Sequence, residues 1–427
     1  MTDIAAYMND ATQKSRVIDG LPDGLPLREI AKVGIIGAGT MGGGIAMNFA
    51  SAGVEVVILE TKQEALERGL GVMQANYQRS ADRGRFPVEE VAIRMSRVTG
   101  TLDMGELAAC DLVIEAVFED MGLKKTIFQN LDATVKAGAI LATNTSALDI
   151  DEIAAATNRP EDVIGLHFFS PANVMKLLEI VRAEKTADDV VATSMDIAVK
   201  IGKVASLVGV CPGFVGNRIL AARQREAQAL VNRGVLPWDV DAAFNAFGFK
   251  MGPFQMSDLA GLDIGWKKGA VTGNPIRDAL CEMDRRGQKT GAGYYDYDEN
   301  RQRQPSPITE GIIAEVTGVA PGQAGLSEAE VLARCVHPMV NEALIILEEN
   351  KAQRPSDIDV IWSYGYGWPG DTGGPMAYGD LVGADKILAT MQALRAENDA
   401  IHIAPTLQKL ANEGGRFVDL DLGGLKT

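Results

Sequence analysis

Residues 34–44 read GIIGAGTMGGG and contain three glycines, Gly37, Gly39 and Gly42, in the spacing G-x-G-x-x-G. The apolar run KVGII before them predicts a strand, and TMGGGIAMNFASAG after them predicts a helix that ends at Gly53. A glycine turn between a strand and a helix brings backbone N–H groups and the positive helix end onto a pyrophosphate. In a chain with 46 glycines the spacing alone is weak evidence, and the flanking elements give it its strength.

An acidic residue follows at the distance that a dinucleotide site requires. The next predicted strand, EVVILE, ends at Glu60, about 20 residues after the glycine turn. A carboxylate there accepts hydrogen bonds from both ribose hydroxyls and repels a 2′-phosphate, which favours NAD over NADP, although Lys62 nearby slightly weakens that preference. The expected NAD contacts of this turn are Gly37, Gly39, Thr40, Met41, Gly42 and Glu60.

Strand and helix signals alternate through the first half of the chain. Further strands are predicted at residues 111–117, 139–145, 163–169, 176–181 and 203–209. Such alternation is typical of βαβ units in a parallel sheet. We therefore expect an α/β, Rossmann-type NAD-binding domain.

From CPGFVGNRI onward, near Cys211, the pattern changes to long helical periodicity. Two helical blocks, 226–263 and 342–385, share one order of features: a helix, an acidic helix start, GF or GW, Gly-Pro and D-L-x-G-x-D. This match predicts a duplicated all-α domain. The expected organisation is a linker at 1–28, the NAD-binding domain at 29–211, and helical domains at 212–305 and 306–427.

Composition excludes several functional classes. The 427 residues carry a formal charge of −16, which argues against broad binding to nucleic acid or anionic membranes. No apolar run is long enough for a membrane span, and the first residues do not resemble a signal or transit peptide. The four cysteines have no metal or disulfide spacing, so we expect no metal site. The expected compartment is the cytoplasm.

Several motifs together resemble a known family. In order, they are GAGTMGGGIA, DLVIEAVFED, TNTSALDIDEIA, GLHFFSPANVMKLLEIV, PGFVGNRI and GQKTGAGYYDY. The chain resembles the L-3-hydroxyacyl-CoA dehydrogenases over roughly residues 30–420, and most closely the dehydrogenase part of the multifunctional fatty-acid β-oxidation enzymes. Those enzymes carry an enoyl-CoA hydratase domain upstream. Here about 28 linker-like residues precede the glycine turn, so hydratase and isomerase activities are not expected.

His167 is the candidate base for oxidation of a secondary alcohol, which transfers a hydride from carbon and a proton from oxygen. It lies at the end of a predicted strand, where ligands of parallel sheets bind, and Glu179 lies on the next strand. On these grounds alone, a histidine in an apolar strand is more often structural. The resemblance implies that His167 is the base and Glu179 its orienting carboxylate; His337 and His402 are expected to be structural.

Ser146 and Asn217 are candidates to hold the reacting 3-oxygen. The resemblance places a substrate-contacting serine and asparagine at these positions. Ser146 also has the pattern of a helix N-cap, with Asp149 three residues later as in a capping box. Both interpretations stay open at the level of sequence.

The resemblance assigns the remaining contacts with less specificity. Val117, Glu119 and Lys124 match positions near the nicotinamide half of NAD, although they are also typical of a loop and a helix start. Ser170 replaces the asparagine of the short single-copy enzymes, which puts a direct amide contact to NAD in doubt. Tyr364 matches a substrate-binding tyrosine of the multifunctional enzymes, and an aromatic residue here is equally consistent with packing.

The sequence thus predicts an NAD-dependent (S)-3-hydroxyacyl-CoA dehydrogenase that acts on an acyl-CoA thioester. The alternatives are a β-hydroxyacid oxidoreductase whose substrate lacks CoA and a catalytically silent NAD-binding protein. A second helical copy could replace the partner of a dimer, so we expect either a monomer that is a pseudo-dimer by duplication or a homodimer. A thiolase or a hydratase on another chain is a candidate partner.

Overall fold

The computed structural model describes residues 3–22, 24–322 and 325–425. The chain forms two compact units. The first comprises Met1–Arg218, Ile346–Tyr366 and Val418–Thr427, and the second comprises Ile219–Ile345 and Gly367–Phe417. Among the described residues, no helix has both the length and the apolar character needed to cross a bilayer.

The N-terminal segment is not only a linker. Residues Ile4–Lys14 form helix α1, which begins after Asp3, whose carboxylate accepts a hydrogen bond from the Ala6 N–H. The Gly- and Pro-rich residues that suggested a linker begin only after this helix, so that interpretation is wrong for residues 4–14. Short, weakly apolar helices give little signal in sequence because their formation depends on tertiary packing.

The first unit contains an eight-stranded sheet. Its strands are β1 Lys32–Ile36, β2 Glu55–Leu59, β3 Val98–Thr101, β4 Leu112–Glu115, β5 Ile140–Thr143, β6 Val163–Phe168, β7 Leu177–Arg182 and β8 Val204–Gly209. They lie in the order β3-β2-β1-β4-β5-β6-β7-β8. This Rossmann-type arrangement confirms the predicted fold class.

Two strands depart from the predicted parallel sheet. The first six strands in the order of the sheet, from β3 at the edge through β2, β1, β4 and β5 to β6, are parallel. Strand β7 is antiparallel to β6, and β8 is parallel to β7. The connection between β6 and β7, residues 169–176, contains no helix and is too short for the crossover that a parallel pair needs. The chain therefore reverses, and His167 becomes the direct partner of Glu179.

The predicted strands are all present, and one further strand of the eight-stranded sheet was missed. Strand β3 reads VTGT and lies at the edge of the sheet, partly exposed. It has no apolar run and contains a glycine, which is why its sequence gives no strand signal. By contrast, β4, β5, β6 and β8 are buried along their whole length, as expected when a sheet is covered on both faces.

The connections of the sheet contain six helices among the described residues. These are α2 Thr40–Ser51, α3 Gln63–Asp82, α4 Glu89–Met95, α5 Met121–Thr134, α6 Ile150–Ala154 and α7 Asp188–Lys200. Two 3₁₀ turns, Met104–Leu107 and Pro160–Asp162, complete them.

The chain after β8 is mainly helical, as predicted. Its helices are α8 Phe214–Asn232, α9 Pro237–Phe247, α10 Pro253–Ala260, α11 Pro275–Glu282, α12 Pro307–Thr317, α13 Glu328–Glu348, α14 Pro355–Gly365, α15 Pro375–Val382, α16 Ala384–Glu397 and α17 Pro405–Glu413, with 3₁₀ turns Gln288–Thr290 and Phe417–Asp419. A small antiparallel hairpin, β9 Tyr295–Tyr297 with β10 Arg303–Pro305, lies between α11 and α12 and was not predicted from the sequence.

The two blocks that suggested a duplication contain the same order of helices. Each has a long helix, then one of 11 residues, then one of 8 residues: α8, α9 and α10 in the first, and α13, α14 and α15 in the second. The eight-residue helices are preceded by Gly252 and Gly374 and followed by Gly261 and Gly383. This correspondence is what a duplication predicts.

Helix α14 belongs to the first unit, although it lies within the predicted domain 306–427. It packs against β7, β8 and α1. The compact units therefore divide that predicted domain, because the end strands of the sheet need an apolar cover and α14 supplies it. Tyr364 and Tyr366 lie at the end of this helix.

Candidate active site

The glycine turn between β1 and α2 has the shape of a phosphate cradle. Gly37 has φ of 100°, a conformation that favours glycine. A Cβ atom added at Gly42 would lie 1.9 Å from the carbonyl oxygen of Gly37, whereas one added at Gly39 would meet nothing within 4 Å. The turn is thus closed on its protein side and open on the other, as close approach of a ligand to the backbone requires.

Of the other two residues expected in this turn, one faces the cleft. Thr40 begins α2 and lines a cleft of about 270 Å³ together with Gly39 and Glu60. Met41 instead packs against the hydrophobic core. The open side of the turn therefore presents backbone and a hydroxyl rather than the methionine side chain.

Glu60 lies directly after β2, beside the glycine turn. Its carboxylate accepts hydrogen bonds from the Ala38 N–H at 3.2 Å and the Thr61 N–H at 2.7 Å. The carboxylate is therefore held at the cleft with lone pairs left for further donors. Open glycine backbone, a helix N-terminus and an oriented carboxylate together fit the pyrophosphate and adenosine ribose of NAD.

Glu119 connects the loop after β4 with the loop after β5. Its Oε1 accepts hydrogen bonds from the Thr145 hydroxyl at 2.7 Å and from the Ser146 N–H and hydroxyl at 2.8 and 3.1 Å. Burial raises the pKa of Glu119, but these hydrogen bonds and the charge of Lys124 outweigh it, so the pKa lies below its ordinary value. The carboxylate is therefore ionised and fixes the position of Ser146.

Lys124 is buried and contacts two carboxylates. Its Nζ lies 2.7 and 2.8 Å from the two oxygens of Glu115, and 3.4 Å from Oε2 of Glu119. Glu115 also accepts hydrogen bonds from the Val117 N–H and the Thr143 hydroxyl. Lys124 and Val117 thus belong to a network that orders the loop carrying Glu119. Glu115 was missed because a carboxylate inside an apolar strand gives no signal without its partner.

His167 and Glu179 form a buried pair across β6 and β7. Nδ1 of His167 lies 2.7 Å from Oε2 of Glu179, and the other oxygen of Glu179 accepts a hydrogen bond from the Gly216 N–H at 2.9 Å. The side chains meet because directly opposed residues of an antiparallel pair lie on the same face. A carboxylate at Nδ1 fixes the tautomer whose basic nitrogen is Nε2.

Aromatic rings surround the imidazole. The ring of Phe169 lies 4.5 Å from that of His167, and the ring of Phe214 lies 5.7 Å away. The end of β6 is fixed by Asn144, whose side-chain oxygen accepts a hydrogen bond from the Phe168 N–H. The histidine therefore has a defined orientation in a surrounding that excludes most water.

Asn217 and Ser146 lie together, as expected for residues that bind one oxygen. The Asn217 side-chain N–H₂ group lies 3.4 Å from the Ser146 carbonyl oxygen. The interpretation of Ser146 as an N-cap is wrong: α6 is capped by Asp149, whose carboxylate accepts hydrogen bonds from the N–H groups of Asp151 and Glu152. The Ser146 hydroxyl instead contacts Glu119.

Tyr366, and not Tyr364, joins this group. The Tyr366 hydroxyl donates a hydrogen bond to the side-chain oxygen of Asn217 at 2.7 Å, and its ring contacts Phe169. Tyr364 packs with the core of α1, and its hydroxyl accepts a hydrogen bond from Thr12 at 3.4 Å. Tyr364, the tyrosine predicted to bind substrate, therefore packs against α1, and Tyr366 is the tyrosine that contacts Asn217.

Ser170 is exposed in the connection between β6 and β7. The residues that follow it, Pro171 and Asn173, line the cleft beside the glycine turn. Buried Lys203 holds this connection in place, because it donates hydrogen bonds to the carbonyl oxygens of Ala172 and Met175. Ser170 therefore lies near the expected cofactor position without a direct role in fixing it.

A second cleft, of about 410 Å³, adjoins the first and shares Asn76 and Asn173 with it. Four arginines line it: Arg79, Arg83, Arg85 and Arg94. In a chain of net charge −16, this concentration of positive charge is suited to binding an anion. It was missed in the sequence because the arginines of α3 and the loop after it have the appearance of an exposed helix face.

His337 and the four cysteines were expected to be structural. His337 is buried against the Thr390 hydroxyl, and burial lowers its pKa to about 4. The four cysteines are buried free thiols. Among the described residues, no group of three or more His, Cys, Asp or Glu side chains could hold a metal ion.

Two family models match the chain. The NAD-binding domain model of 3-hydroxyacyl-CoA dehydrogenase matches residues 32–211. The C-terminal domain model of 3-hydroxyacyl-CoA dehydrogenase matches residues 213–297 and 331–417.

Similar proteins include the peroxisomal bifunctional enzymes of Cavia porcellus and Homo sapiens. They are 43% and 41% identical over 91% of this chain and 57% of their own length. The chain thus spans about three fifths of these relatives.

Solved structures with the same fold include the dehydrogenase part of multifunctional enzyme 1 from C. elegans, with 31% identity and a TM-score of 0.68 over 95% of this chain and 96% of that one. The 3-hydroxybutyryl-CoA dehydrogenase of Escherichia coli has 27% identity and a TM-score of 0.76 over 90% of this chain and 98% of that one.

Proposed function

Because the chain belongs to the 3-hydroxyacyl-CoA dehydrogenase family, we propose that it oxidises (S)-3-hydroxyacyl-CoA thioesters to 3-ketoacyl-CoA with NAD as the oxidant. The observation that carries this proposal is the contact of 2.7 Å between His167 and Glu179 at the ligand-binding edge of the sheet. The glycine turn at the end of β1 belongs to the same sheet and is open toward a ligand.

His167 removes the hydroxyl proton of the substrate through Nε2. Its Nδ1–H donates to Glu179, which stabilises the positive charge that the imidazole acquires. The Gly216 N–H holds the second oxygen of Glu179, so the carboxylate cannot rotate away. When bound, NAD supplies the nicotinamide carbon that accepts the hydride.

The reacting oxygen gains carbonyl character as the hydride leaves, and polar donors stabilise it. The Asn217 N–H₂ group has a second N–H beyond the one that faces the Ser146 carbonyl oxygen, and the Ser146 hydroxyl becomes a second donor when it turns from Glu119 to the substrate. Glu119 accepts a hydrogen bond from the Ser146 backbone N–H, so the position of Ser146 is set before substrate binds. Pre-placed donors are effective because no reorganisation is needed during the reaction.

The arginine-lined cleft supports a CoA thioester rather than a free acid as substrate. Coenzyme A carries phosphate groups, and arginine is well suited to binding phosphate. Arg94 is held by Glu90 and by the ring of Phe86, while Arg83 and Arg85 lie in the turn after α3. We assign the phosphate groups of the substrate to this cleft.

The second helical copy supports the sheet that carries the reactive pair. Helix α14 covers β7, the strand of Glu179. We propose that the copy replaces a dimer partner, so that the protein is a monomer with internal pseudo-symmetry. Light scattering tests the monomer, and deletion of residues 310–427 tests the support: a soluble, fully active remainder would refute it.

The cytoplasm is the proposed compartment, and a thiolase or a separate hydratase the proposed partner enzyme. Similar proteins include peroxisomal and glyoxysomal enzymes as well as bacterial fatty acid oxidation subunits. Cell fractionation distinguishes an organelle from the cytoplasm. Co-purification with a thiolase or a hydratase from the source cells tests the partner.

The proposed activity is tested by NADH formation, followed by absorbance, with (S)-3-hydroxyacyl-CoA substrates of increasing chain length. We expect turnover with NAD on thioesters and little with free 3-hydroxybutyrate. Equal turnover of the free acid would favour an oxidoreductase of non-CoA substrates. NAD binding without turnover of any thioester would favour a catalytically silent NAD-binding protein.

A further inference from the structure

Tyr366 reaches the proposed catalytic group from a helix distant in sequence. It follows α14, whose last residue is Gly365, and its hydroxyl lies 2.7 Å from the side-chain oxygen of Asn217. We infer that Tyr366 is a positioning residue that sets the amide orientation of Asn217. This inference rests on the proposed function, in which Asn217 donates to the reacting oxygen.

The contacts of Asn217 define which end of its amide faces which neighbour. The carbonyl oxygen of Ser146 can only accept a hydrogen bond, so the amide group that faces it is the N–H₂ group. The side-chain oxygen of Asn217 then faces Tyr366, whose hydroxyl must be the donor. The N–H₂ group is therefore presented on the side of Ser146, where the reacting oxygen is expected.

Loss of the tyrosine hydroxyl would weaken this selection, because only the 3.4 Å contact with the Ser146 carbonyl oxygen would then favour it. The amide of asparagine has an acceptor end and a donor end of nearly the same shape, so its orientation depends on its hydrogen-bond partners. Without a donor at the Tyr366 position, the amide of Asn217 can more easily adopt the reversed orientation, in which its side-chain oxygen faces the substrate. An amide oxygen cannot stabilise a reacting oxygen that acquires negative charge.

Packing holds Tyr366 in place. Its ring stacks on that of Trp362, with centroids 4.4 Å apart, and meets the ring of Phe169 edge-on at 5.4 Å. A Cβ atom at position 216 would lie 2.6 Å from the Tyr366 ring, so the glycine is required for this approach. Gly216 thus admits Tyr366 while its N–H holds Glu179.

The chain also secures the helix that carries Tyr366. The Tyr7 hydroxyl of α1 donates a hydrogen bond to the Asp359 carboxylate of α14 at 2.8 Å. Arg354, just before α14, donates to the carbonyl oxygens of Lys14 and Val17. Tyr7 and Arg354 thus each provide one of several contacts between the N-terminal segment and the start and middle of α14.

The test compares Tyr366→Phe with Tyr7→Phe in the full-length enzyme, with (S)-3-hydroxybutyryl-CoA and NAD as substrates. Tyr366→Phe keeps the ring packing and loses the hydrogen bond to Asn217, so we expect kcat to fall by about 3- to 10-fold with KM for NAD unchanged. Tyr7→Phe loses a hydroxyl contact to the same helix and should keep the wild-type kcat. Tyr364→Phe should behave like Tyr7→Phe.

Two further variants separate positioning from stability. The double variant Tyr366→Phe/Asn217→Ala should have the kcat of Asn217→Ala alone, since Tyr366 acts through Asn217. Asn217→Asp keeps an acceptor for Tyr366 but removes the donor, so it should lose as much kcat as Asn217→Ala. A purely structural role of Tyr366 and Asn217 would explain neither result.

Several outcomes would overturn the inference. These are a wild-type kcat in Tyr366→Phe, an equal loss in Tyr7→Phe, a larger loss in Tyr364→Phe than in Tyr366→Phe, or additive losses in the double variant. Absence of wild-type turnover with every thioester would overturn the proposed function and this inference together. Normal wild-type turnover with an unaffected Tyr366→Phe variant would overturn this inference alone.

Discussion

Two buried pairs of oppositely ionisable residues lie in the first unit, and they differ in how many contacts each partner makes. Glu115 accepts hydrogen bonds from Lys124, Val117 and Thr143, and Lys124 also contacts Glu119. His167, by contrast, contacts Glu179 through Nδ1, and no hydrogen bond involves its Nε2 within the part of the chain that the structure describes.

This difference separates a pair that holds structure from a pair that can transfer a proton. A lysine ammonium with its donors occupied keeps its charge and its place. An imidazole changes its protonation state near neutral pH as a residue type, and here one of its nitrogens remains available. Burial and opposite charge alone therefore do not identify a catalytic pair. The distinguishing feature is a nitrogen that remains available to accept a proton.

The largest expected effect is that of His167→Gln on turnover. Removal of a general base costs about 10²–10⁴-fold in rate, and the orientation of the substrate hydroxyl is lost with it, so we expect kcat to fall by at least about 10³-fold. NADH formation by purified enzyme measures this, and NAD binding by fluorescence titration should be unchanged. A variant with near wild-type kcat would exclude His167 as the base.

Lys124→Met should instead act on stability. It leaves the fully buried Glu115 carboxylate without its charge partner, and we expect the free energy of unfolding to fall by about 3–5 kcal/mol. Urea denaturation measures the change. The matched control is Lys125→Met, on the same helix, because Lys125 pairs with Glu152 at the surface and should contribute less than about 1 kcal/mol. Equal effects of the two substitutions would contradict the structural role of the buried pair.

Glu179→Gln tests the orienting carboxylate. A glutamine oxygen can accept from either the His167 Nδ1–H or the Gly216 N–H, and its N–H₂ group then opposes the other donor. We expect kcat to fall by roughly 100-fold because the imidazole loses its tautomer and charge partner. Steady-state kinetics with saturating NAD measure the loss. A wild-type kcat would show that Glu179 does not orient His167.

Glu60→Gln should weaken cofactor binding without changing the reactive pair. Loss of a charge-assisted hydrogen bond costs about 1.5–3 kcal/mol, so we expect the Kd for NAD to rise by tenfold or more and the preference over NADP to shrink. Fluorescence titration with NADH and NADPH measures both. Glu64→Gln, at the start of α3, is the control and should leave both constants unchanged.

The smallest expected effect concerns His337, a buried histidine whose Nδ1 lies 2.8 Å from the Thr390 hydroxyl. Burial lowers its pKa to about 4 in the folded state, from the ordinary value of 6.5. The unfolded chain therefore binds the proton first, and stability is lost as the pH falls from about 6.5 towards 4. We expect a loss of about 1–2 kcal/mol between pH 6.5 and 5, absent in His337→Gln. Identical pH profiles of the two proteins would contradict the low pKa.

The strand pattern of the sequence predicted seven of the eight strands of the sheet and placed His167 and Glu179 on successive strands, but it did not predict that these two strands are antiparallel, and the pairing of the two residues was implied by the family resemblance. Side chains alternate along a strand, so two neighbouring strands in a given register define which residues meet. The helical residues were harder to predict. Tyr364 and Tyr366 are two positions apart, a spacing that places side chains on different sides of a helix end, and only packing against Gly216 shows which tyrosine reaches Asn217.

The ion-pair partners of the charged residues also could not be predicted from the sequence. Lys124 was expected at the cofactor, yet its nearest carboxylate, Glu115, lies inside an apolar strand nine residues earlier. The arginines around the second cleft come from α3, α4 and the loop between them, and each alone is consistent with an exposed helix face. Such groups become visible only when the chain brings them to one surface.

The most direct test neutralises each buried pair in turn and measures kcat and melting temperature together. We expect His167→Gln/Glu179→Gln to lose at least about 10³-fold in kcat while it keeps its melting temperature. Glu115→Gln/Lys124→Met should keep kcat within about tenfold, because neither residue transfers a proton. Full activity in the first variant, or a loss of turnover as large in the second as in the first, would contradict the assignment of proton transfer to His167 and Glu179.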